Sequence, residues 1–186
     1  MAPTLTDPMH GFFASHSPVL LSVGGLEPEY DVGLQIEVVE RLRTRFPSVG
    51  LVMIGSGSLE EQLRARIEES SARDHLLLAG DVSHPQTLRA INESHVLLRT
   101  TWYDGDAISV REALFLQAPV IATDNGMRPP RVHLIPKQDA DALENAIVGV
   151  LASDRKGGAQ QELSGRENLD AVFELYRELA PISSAR

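Results

Sequence analysis

Short runs of consecutive apolar residues alternate along this chain with segments in which apolar residues recur every three or four positions. Runs that are apolar on both faces are typical of strands buried in a parallel sheet. They cover residues 18–23, 51–54, 76–79, 96–98 and 119–122, with a weaker sixth run over residues 132–135. The pattern therefore predicts about six short strands.

The segments between the runs predict helices, because their apolar residues fall on one face at a period near 3.6. Serine or aspartate before such a segment, with glutamate or glutamine three residues later, is a sequence signal for a helix start. The predicted helix starts lie near Asp31, Ser58, Ser83, Asp106 or Ala107, and Asp141, and a last helix is predicted over residues 169–179.

Strands that alternate with helices indicate an α/β fold in which helices cover both faces of the sheet. We therefore predict a Rossmann-like, three-layer, doubly wound parallel sheet with right-handed crossovers. Residues 18–153 would form this domain. Prolines, Gly11 and several hydroxyl residues interrupt residues 1–17, which are interpreted as a lead-in segment, and residues 154–186 as a linker and a C-terminal helix.

Composition removes several classes of function. The formal net charge of −9 comes without a basic cluster, so a nucleic-acid partner is not expected. The chain has no cysteine, which suits a reducing cytoplasm, and no apolar run long enough for a transmembrane segment. Its six histidines have no metal-ligand spacing, so neither a metal site nor a cofactor is predicted.

Two acids, Asp104 and Glu112, lie eight positions apart across the loop and helix that follow the fourth strand. Glu112 would fall one and a half to two turns into that helix, from where its carboxylate could accept hydrogen bonds from sugar hydroxyls. Gly105 permits a bend, and the free N–H groups of the helix start suit a phosphate. Alternatively, Asp104 and Asp106 only cap the helix and Glu112 is a surface residue.

Other candidate residues also follow predicted strands. Gly24 and Gly25 would let a phosphate approach the backbone, although without a GxGxxG motif a plain tight turn is the simpler reading. Arg99 and Arg128 follow the fourth and fifth strands and could neutralise a diphosphate, or could be solvated loop residues. The absence of an acid after the second strand disfavours a nicotinamide dehydrogenase.

Five segments, taken together and in order, resemble the C-terminal donor-binding domain of the group 1 (family 4) retaining glycosyltransferases. The fourth segment carries the signature of that family, with aspartate in place of the first glutamate. The segments are Leu21-Ser-Val-Gly-Gly-Leu-Glu-Pro-Glu-Tyr30, Val52-Met-Ile-Gly-Ser-Gly57, Leu78-Ala-Gly-Asp-Val82, Asp104-Gly-Asp-Ala-Ile-Ser-Val-Arg-Glu-Ala113 and Pro119-Val-Ile-Ala-Thr-Asp-Asn-Gly126.

The resemblance implies an enzyme with two Rossmann-like halves, of which this half binds a nucleotide diphosphate sugar without an obligatory metal. By that analogy Glu112 holds the ribose hydroxyls, and Asp104 faces the donor sugar. The resemblance also implies two sets of substrate-binding residues, beside the diphosphate and beside the base: Gly105, Asp106, Ala107 and Ile108 in the first, and Gly80, Asp81 and Val82 in the second.

The sequence departs from the family at two positions, because the family's phosphate-binding arginine and lysine fall at Gly25 and Tyr30. A diphosphate would need another cation, and we predict Arg128, or else Arg99, in that role. The family's N-terminal acceptor domain would act with this chain in cis or in trans. The alternative is a non-catalytic module of the same fold that binds a nucleotide or a protein; the oligomeric state stays open.

Overall fold

A computed structural model describes residues 5–153 of the chain. Six helices and six strands alternate through this part, except that the sixth strand follows the fifth without a helix, and they are joined by loops and two single turns of 3-10 helix. They are α1 (Asp7–Ser15), β1 (Val19–Val23), α2 (Val32–Leu42), β2 (Gly50–Ile54), α3 (Glu60–Glu69), β3 (Leu76–Gly80), α4 (His84–Glu93), β4 (Val96–Arg99), α5 (Ile108–Phe115), β5 (Val120–Thr123), β6 (His133–Ile135) and α6 (Ala140–Ala152).

The six strands form one parallel sheet in the order β3-β2-β1-β4-β5-β6. Leu21 in β1 pairs with Val52 of β2 on one side and with Leu97 of β4 on the other. The direction of the strand order therefore reverses between β1 and β4. In open α/β sheets, ligands bind beside the carboxyl ends of the strands at this reversal. The predicted fold class is confirmed.

Two apolar clusters, one on each face of the sheet, form the core. Successive residues of a strand point to opposite faces, so Leu20 belongs to one cluster and Leu21 to the other. Helices α2, α3 and α6 contribute to the first cluster, whereas α1, α4 and α5 contribute to the second. The sheet is thus the middle layer of three.

Helix α1 lies within residues 1–17, for which the sequence reading gave only a lead-in segment. Met9 of this helix is completely buried in the second apolar cluster. The ring of Phe12 covers Gly50 at the start of β2, where a Cβ atom would lie 2.6 Å from it. Pro8 sits in the first turn, where its missing N–H breaks no helical hydrogen bond. The spacing of Leu5, Met9 and Phe12 was the signal overlooked.

Helix starts were predicted with mixed success. The start at Ser83 is confirmed, because its N–H donates a hydrogen bond to Gln86 Oε1 at 3.2 Å. The caps predicted at Ser58 and Asp141 are wrong. Ser58 donates its hydroxyl to Glu27 instead, and Asp139 caps α6 by accepting from the Ala142 N–H at 2.8 Å.

Three further predictions concern the C-terminal helix, a transmembrane segment and a metal site. The helix predicted over residues 169–179 lies outside the described residues. Within residues 5–153, none of the helices is long and apolar enough to cross a bilayer. In the same part of the chain, no group of three or more histidine or acidic side chains is placed to hold a metal ion.

Candidate functional site

A cleft of about 300 Å³ opens at the carboxyl ends of β1, β2 and β3. It brings together residues that are far apart in sequence, because parallel strands end at the same edge of the sheet. Its walls are Val23, Gly24, Gly25, Ile54, Gly55, Ser56, Asp81 and Val82. Four of the predicted substrate-binding residues are among them, and Gly80 is tied to the cleft by a hydrogen bond from the Gly55 N–H to its carbonyl at 3.0 Å.

Backbone contacts between glycines hold the cleft together. A Cβ atom on Gly55 would lie 2.0 Å from the carbonyl oxygen of Gly24, so β1 and β2 meet there at a distance that only glycine allows. The N–H of Gly24 donates to the Ile54 carbonyl at 3.0 Å. The N–H of Gly25, by contrast, has no acceptor within residues 5–153. This leaves one backbone donor free at the carboxyl end of β1.

The cleft wall on the β2 side includes two residues to which the sequence analysis assigned no binding role. Gly55 and Ser56 follow β2, and the Ser56 hydroxyl donates a hydrogen bond to Asp81 Oδ2 at 2.8 Å. The signal was present, since both belong to the Gly-x-Gly segment after the second strand. The sequence alone does not show that this turn and Asp81 lie side by side.

Asp104 is surrounded by arginines beside the end of β4. Its Oδ2 accepts hydrogen bonds from Arg99 Nε at 2.9 Å and from Arg128 NH1 at 3.1 Å. Asn125 donates to the Asp104 carbonyl at 3.0 Å and fixes the loop. Burial by itself raises the pKa of the Asp104 carboxyl, but the hydrogen bonds and charges of Arg99 and Arg128 outweigh it and hold the pKa below its ordinary value.

Arg128 is enclosed in the protein, with a side chain only 2% exposed. Each nitrogen of its guanidinium has an acceptor: Asp104 at NH1, the Thr123 carbonyl at Nε and the Thr101 hydroxyl at NH2. The alternative of a solvated loop arginine is therefore wrong. The contact of Arg128 with a diphosphate stays a prediction from sequence, and the structure gives its guanidinium a role in holding Asp104.

The lowered pKa of Asp104 predicts a stability effect that depends on pH. Its folded pKa lies below the unfolded value, so ionised Asp104 stabilises the fold above about pH 4, and this stabilisation is lost as the pH falls through the folded pKa. We expect Asp104→Asn to lower the free energy of unfolding at neutral pH, with a deficit that shrinks below about pH 4. Urea denaturation of both proteins across this range measures it; a deficit that is constant with pH would contradict the assignment.

The loop from Gly105 to the start of α5 presents backbone donors, as predicted. The N-cap of α5 is Ala107, and no side chain caps it. Asp106 pairs with Arg111 Nε at 2.9 Å and Asp104 with two arginines, so the reading of these acids as helix caps is wrong. The N–H groups of residues 105–109 have no acceptors in the described part of the chain. Ile108 is 74% exposed beside them.

Glu112 lies on α5 and faces the start of α4. Its Oε1 is 2.6 Å from Nε2 of His84, the first residue of that helix, and its side chain is only 19% exposed. An ionised carboxylate only accepts hydrogen bonds, so the His84 nitrogen is the donor. Within residues 5–153 the other oxygen, Oε2, has no partner. His84 follows the cleft wall at Val82 by two residues, and this is the link between Glu112 and the cleft.

An aromatic ring lies at the end of β1. The Tyr30 ring lies beside Gly24 and Gly25, with one ring carbon 3.3 Å from where a Gly25 Cβ would be. Its face packs on the guanidinium of Arg99, whose central carbon is 4.6 Å from the ring centroid. The site therefore has two parts: the cleft with Glu112, and the Tyr30, Arg99, Asp104 and Arg128 cluster.

Comparison with known proteins identifies the family of this chain. A sequence model described as "Glycosyl transferases group 1" matches residues 10–162. The chain belongs to the group 1 glycosyl transferases. The resemblance drawn from five sequence segments is thereby confirmed at the level of the family.

Individual glycosyltransferases are similar over most of the chain. It is 28% identical to the amylovoran biosynthesis glycosyltransferase AmsK of Erwinia amylovora, with 91% of this chain and 45% of AmsK covered. A crystal structure of an S. aureus TarM mutant in complex with UDP and other ligands has a TM-score of 0.70 at 17% identity, covering 95% of this chain and 38% of TarM.

The Anabaena HepE structure with UDP has a TM-score of 0.65 at 17% identity, with 77% of this chain and 41% of HepE covered. At these identities the structures show a shared fold. The chain spans less than half the length of AmsK, TarM or HepE.

Proposed function

We propose that this chain contains the donor-nucleotide domain of a retaining glycosyltransferase, which transfers a sugar from a nucleotide diphosphate sugar to an acceptor. The observation that carries the proposal is the cleft at the carboxyl ends of β1 to β3, together with the partly unpaired carboxylate of Glu112, which contacts His84 two residues beyond the cleft wall at Val82. Nucleotides bind at this edge of doubly wound sheets. Free backbone donors at Gly25 and at residues 105–109 are suited to phosphate oxygens.

Each part of the site has a distinct role in this proposal. The base lies against residues 80–82, and Glu112 accepts hydrogen bonds from the ribose hydroxyls through its unpaired oxygen. The phosphates meet backbone N–H groups of the α5 start, where the partial positive charge of the helix end favours an anion. Asp104 holds the loop that faces the donor sugar. No metal ion is invoked, so protein groups must neutralise the diphosphate.

The transfer itself needs more than this domain. Because the chain covers less than half of its relatives, we propose that an acceptor domain completes the cleft in cis or in trans, and that this chain alone binds donor without transferring sugar. A second candidate function is a non-catalytic nucleotide- or protein-binding module of the same fold. It is favoured by the glycine and tyrosine at positions 25 and 30, which carry no positive charge.

Calorimetric titration of the chain with UDP, GDP and ADP tests the proposal. UDP is the first probe, because the TarM and HepE structures named above contain it. We expect one of the three nucleotides to bind with an affinity at least about tenfold above the others, a difference of about 1.4 kcal/mol. A folded protein that binds none of them would refute the donor-site proposal and leave the protein-binding module.

A further inference from the structure

Arg99 has hydrogen-bond donors that the protein does not use. It is the last residue of β4, and its side chain is 9% exposed. Nε donates to Asp104, and NH1 donates to the Val23 carbonyl at 2.9 Å at the end of β1. A guanidinium has five N–H donors. Both donors of NH2 have no acceptor within residues 5–153. Arg99 thus places unsatisfied cationic donors at the reversal of the strand order.

The packing around Arg99 holds its guanidinium in one orientation. Arg99 Cζ lies over the Tyr30 ring, 4.6 Å from its centroid, and a guanidinium held on an aromatic face can still offer its N–H groups to an anion. Gly24 makes room, since a Cβ there would lie 2.6 Å from Arg99 NH1 and 2.4 Å from a Tyr30 ring carbon. Tyr30 and Gly24 together therefore fix the position of the Arg99 guanidinium.

The charges of the cluster do not cancel. Arg99 and Arg128 carry two positive charges against the single negative charge of Asp104, which both arginines contact. Arg128 makes a hydrogen bond from each of its three nitrogens and its side chain is 2% exposed, whereas Arg99 NH2 makes none within residues 5–153 and the Arg99 side chain is 9% exposed. The uncompensated positive charge is therefore accessible through Arg99. The free N–H of Gly25 lies at the same strand end, since its neighbour Gly24 packs on Arg99.

We propose that Arg99 binds the diphosphate of the donor, supplying from the end of β4 a positive charge that Gly25 and Tyr30 do not carry. Tyr30 is a positioning residue for this guanidinium, and Asp104 and Arg128 fix its other side. This inference rests on the proposed donor-binding function, and it selects Arg99 over Arg128. A charge-assisted contact of this kind contributes roughly tenfold or more to affinity.

The test compares Arg99→Gln with wild type, using UDP, uridine and inorganic pyrophosphate as probes. We expect the variant to bind UDP and pyrophosphate roughly tenfold or more weakly, with uridine affinity within about twofold of wild type. Arg64→Gln is the matched control, because it removes the same charge from an exposed ion pair with Glu60 on α3. Unchanged UDP and pyrophosphate affinity in Arg99→Gln would overturn the inference.

Arg99→Lys covers the case in which removal of the charge unfolds the protein. Lysine keeps the charge that Asp104 needs but loses the planar donors and the stack, so a several-fold loss of UDP affinity is expected. Thermal unfolding monitors the integrity of both variants. A Lys variant that binds UDP and pyrophosphate as tightly as wild type would overturn the inference that the guanidinium of Arg99 binds the diphosphate.

Substitutions at Tyr30 test the positioning role separately. Tyr30→Phe keeps the stack and should bind UDP within about twofold of wild type, whereas Tyr30→Ala should lose several-fold in UDP affinity with unchanged uridine affinity. A purely structural Tyr30 would lower both affinities together, and this result would remove Tyr30 from the inference.

Pyrophosphate separates this inference from the proposed function. If wild type binds pyrophosphate through Arg99 but does not bind any nucleotide, the donor-site proposal fails while the anion site at Arg99 stands. If wild type binds UDP and Arg99→Gln binds it equally well, the donor-site proposal stands and the inference about Arg99 fails. If wild type binds neither probe, both are refuted.

Discussion

Replacing Gly55 by alanine is expected to destabilise the domain by about 3 kcal/mol or more. The new Cβ would lie 2.0 Å from the Gly24 carbonyl oxygen, a backbone atom that cannot move aside without separating β1 from β2. The φ angle of +133° at Gly55 is also one that side chains with a Cβ rarely adopt. Chemical denaturation measures the loss, which corresponds to a fall of roughly 10 °C in Tm.

Gly149→Ala is the matched control for this prediction. Gly149 lies inside α6, and a Cβ there would meet no atom within 4 Å. Alanine in a helix interior is more favourable than glycine by about 0.5–1 kcal/mol, so this variant should be more stable than wild type. The same chemical change is expected to have opposite signs at the two sites. A loss of under about 1 kcal/mol at Gly55 would mean that the strand ends are not in the contact described.

Glu112→Gln is expected to weaken UDP binding roughly tenfold or more while leaving the free energy of unfolding within about 1 kcal/mol of wild type. Glutamine has the shape of glutamate but has no charge, and it offers an N–H₂ group to hydroxyls that the carboxylate would accept from. The ribose is the expected partner, so UDP is compared with 2′,3′-dideoxy-UDP. Wild type should prefer UDP, and the variant should lose most of that preference.

His84→Ala is the companion variant for Glu112. It removes the hydrogen bond that Glu112 Oε1 makes across to α4, yet it leaves the carboxylate in place. We expect its preference for UDP over the dideoxy analogue to persist. If Glu112→Gln retained the full preference, Glu112 would act only as a link between α4 and α5, and the ribose assignment would have to be abandoned.

Much of the architecture could be read from local sequence patterns. The consecutive apolar residues of β1, β2 and β5 must be buried on both faces, and this requirement alone predicts a parallel sheet between two helical layers. The interval from Asp104 to Glu112, together with the four other segments, predicted the family. The fold class and the family were both predicted from residues close together in sequence, because helices and strands have fixed periods along the chain.

The failures of the sequence reading have a shared cause. The cap at Asp141 was predicted from spacing, but the Asp139 carboxylate accepts the hydrogen bond from the Ala142 N–H instead. Helix α1 was missed because Pro8 and Gly11 interrupt its pattern, although burial of Met9 against the sheet stabilises it. In each case a tertiary contact or a competing local hydrogen bond outweighed the propensity of single residues.

The sequence by itself determined the fold class, the family and the strand ends from which the site is built. Only the tertiary structure decided how the arginines are used. Arg99 and Arg128 are equivalent in sequence terms, each following a strand at the same sheet edge. Folding encloses Arg128 among Asp104, Thr101 and Thr123, while Arg99 packs on Tyr30 with free donors. Apart from the Thr123 carbonyl, these contacts join residues more than twenty positions apart, and no local pattern encodes such distances.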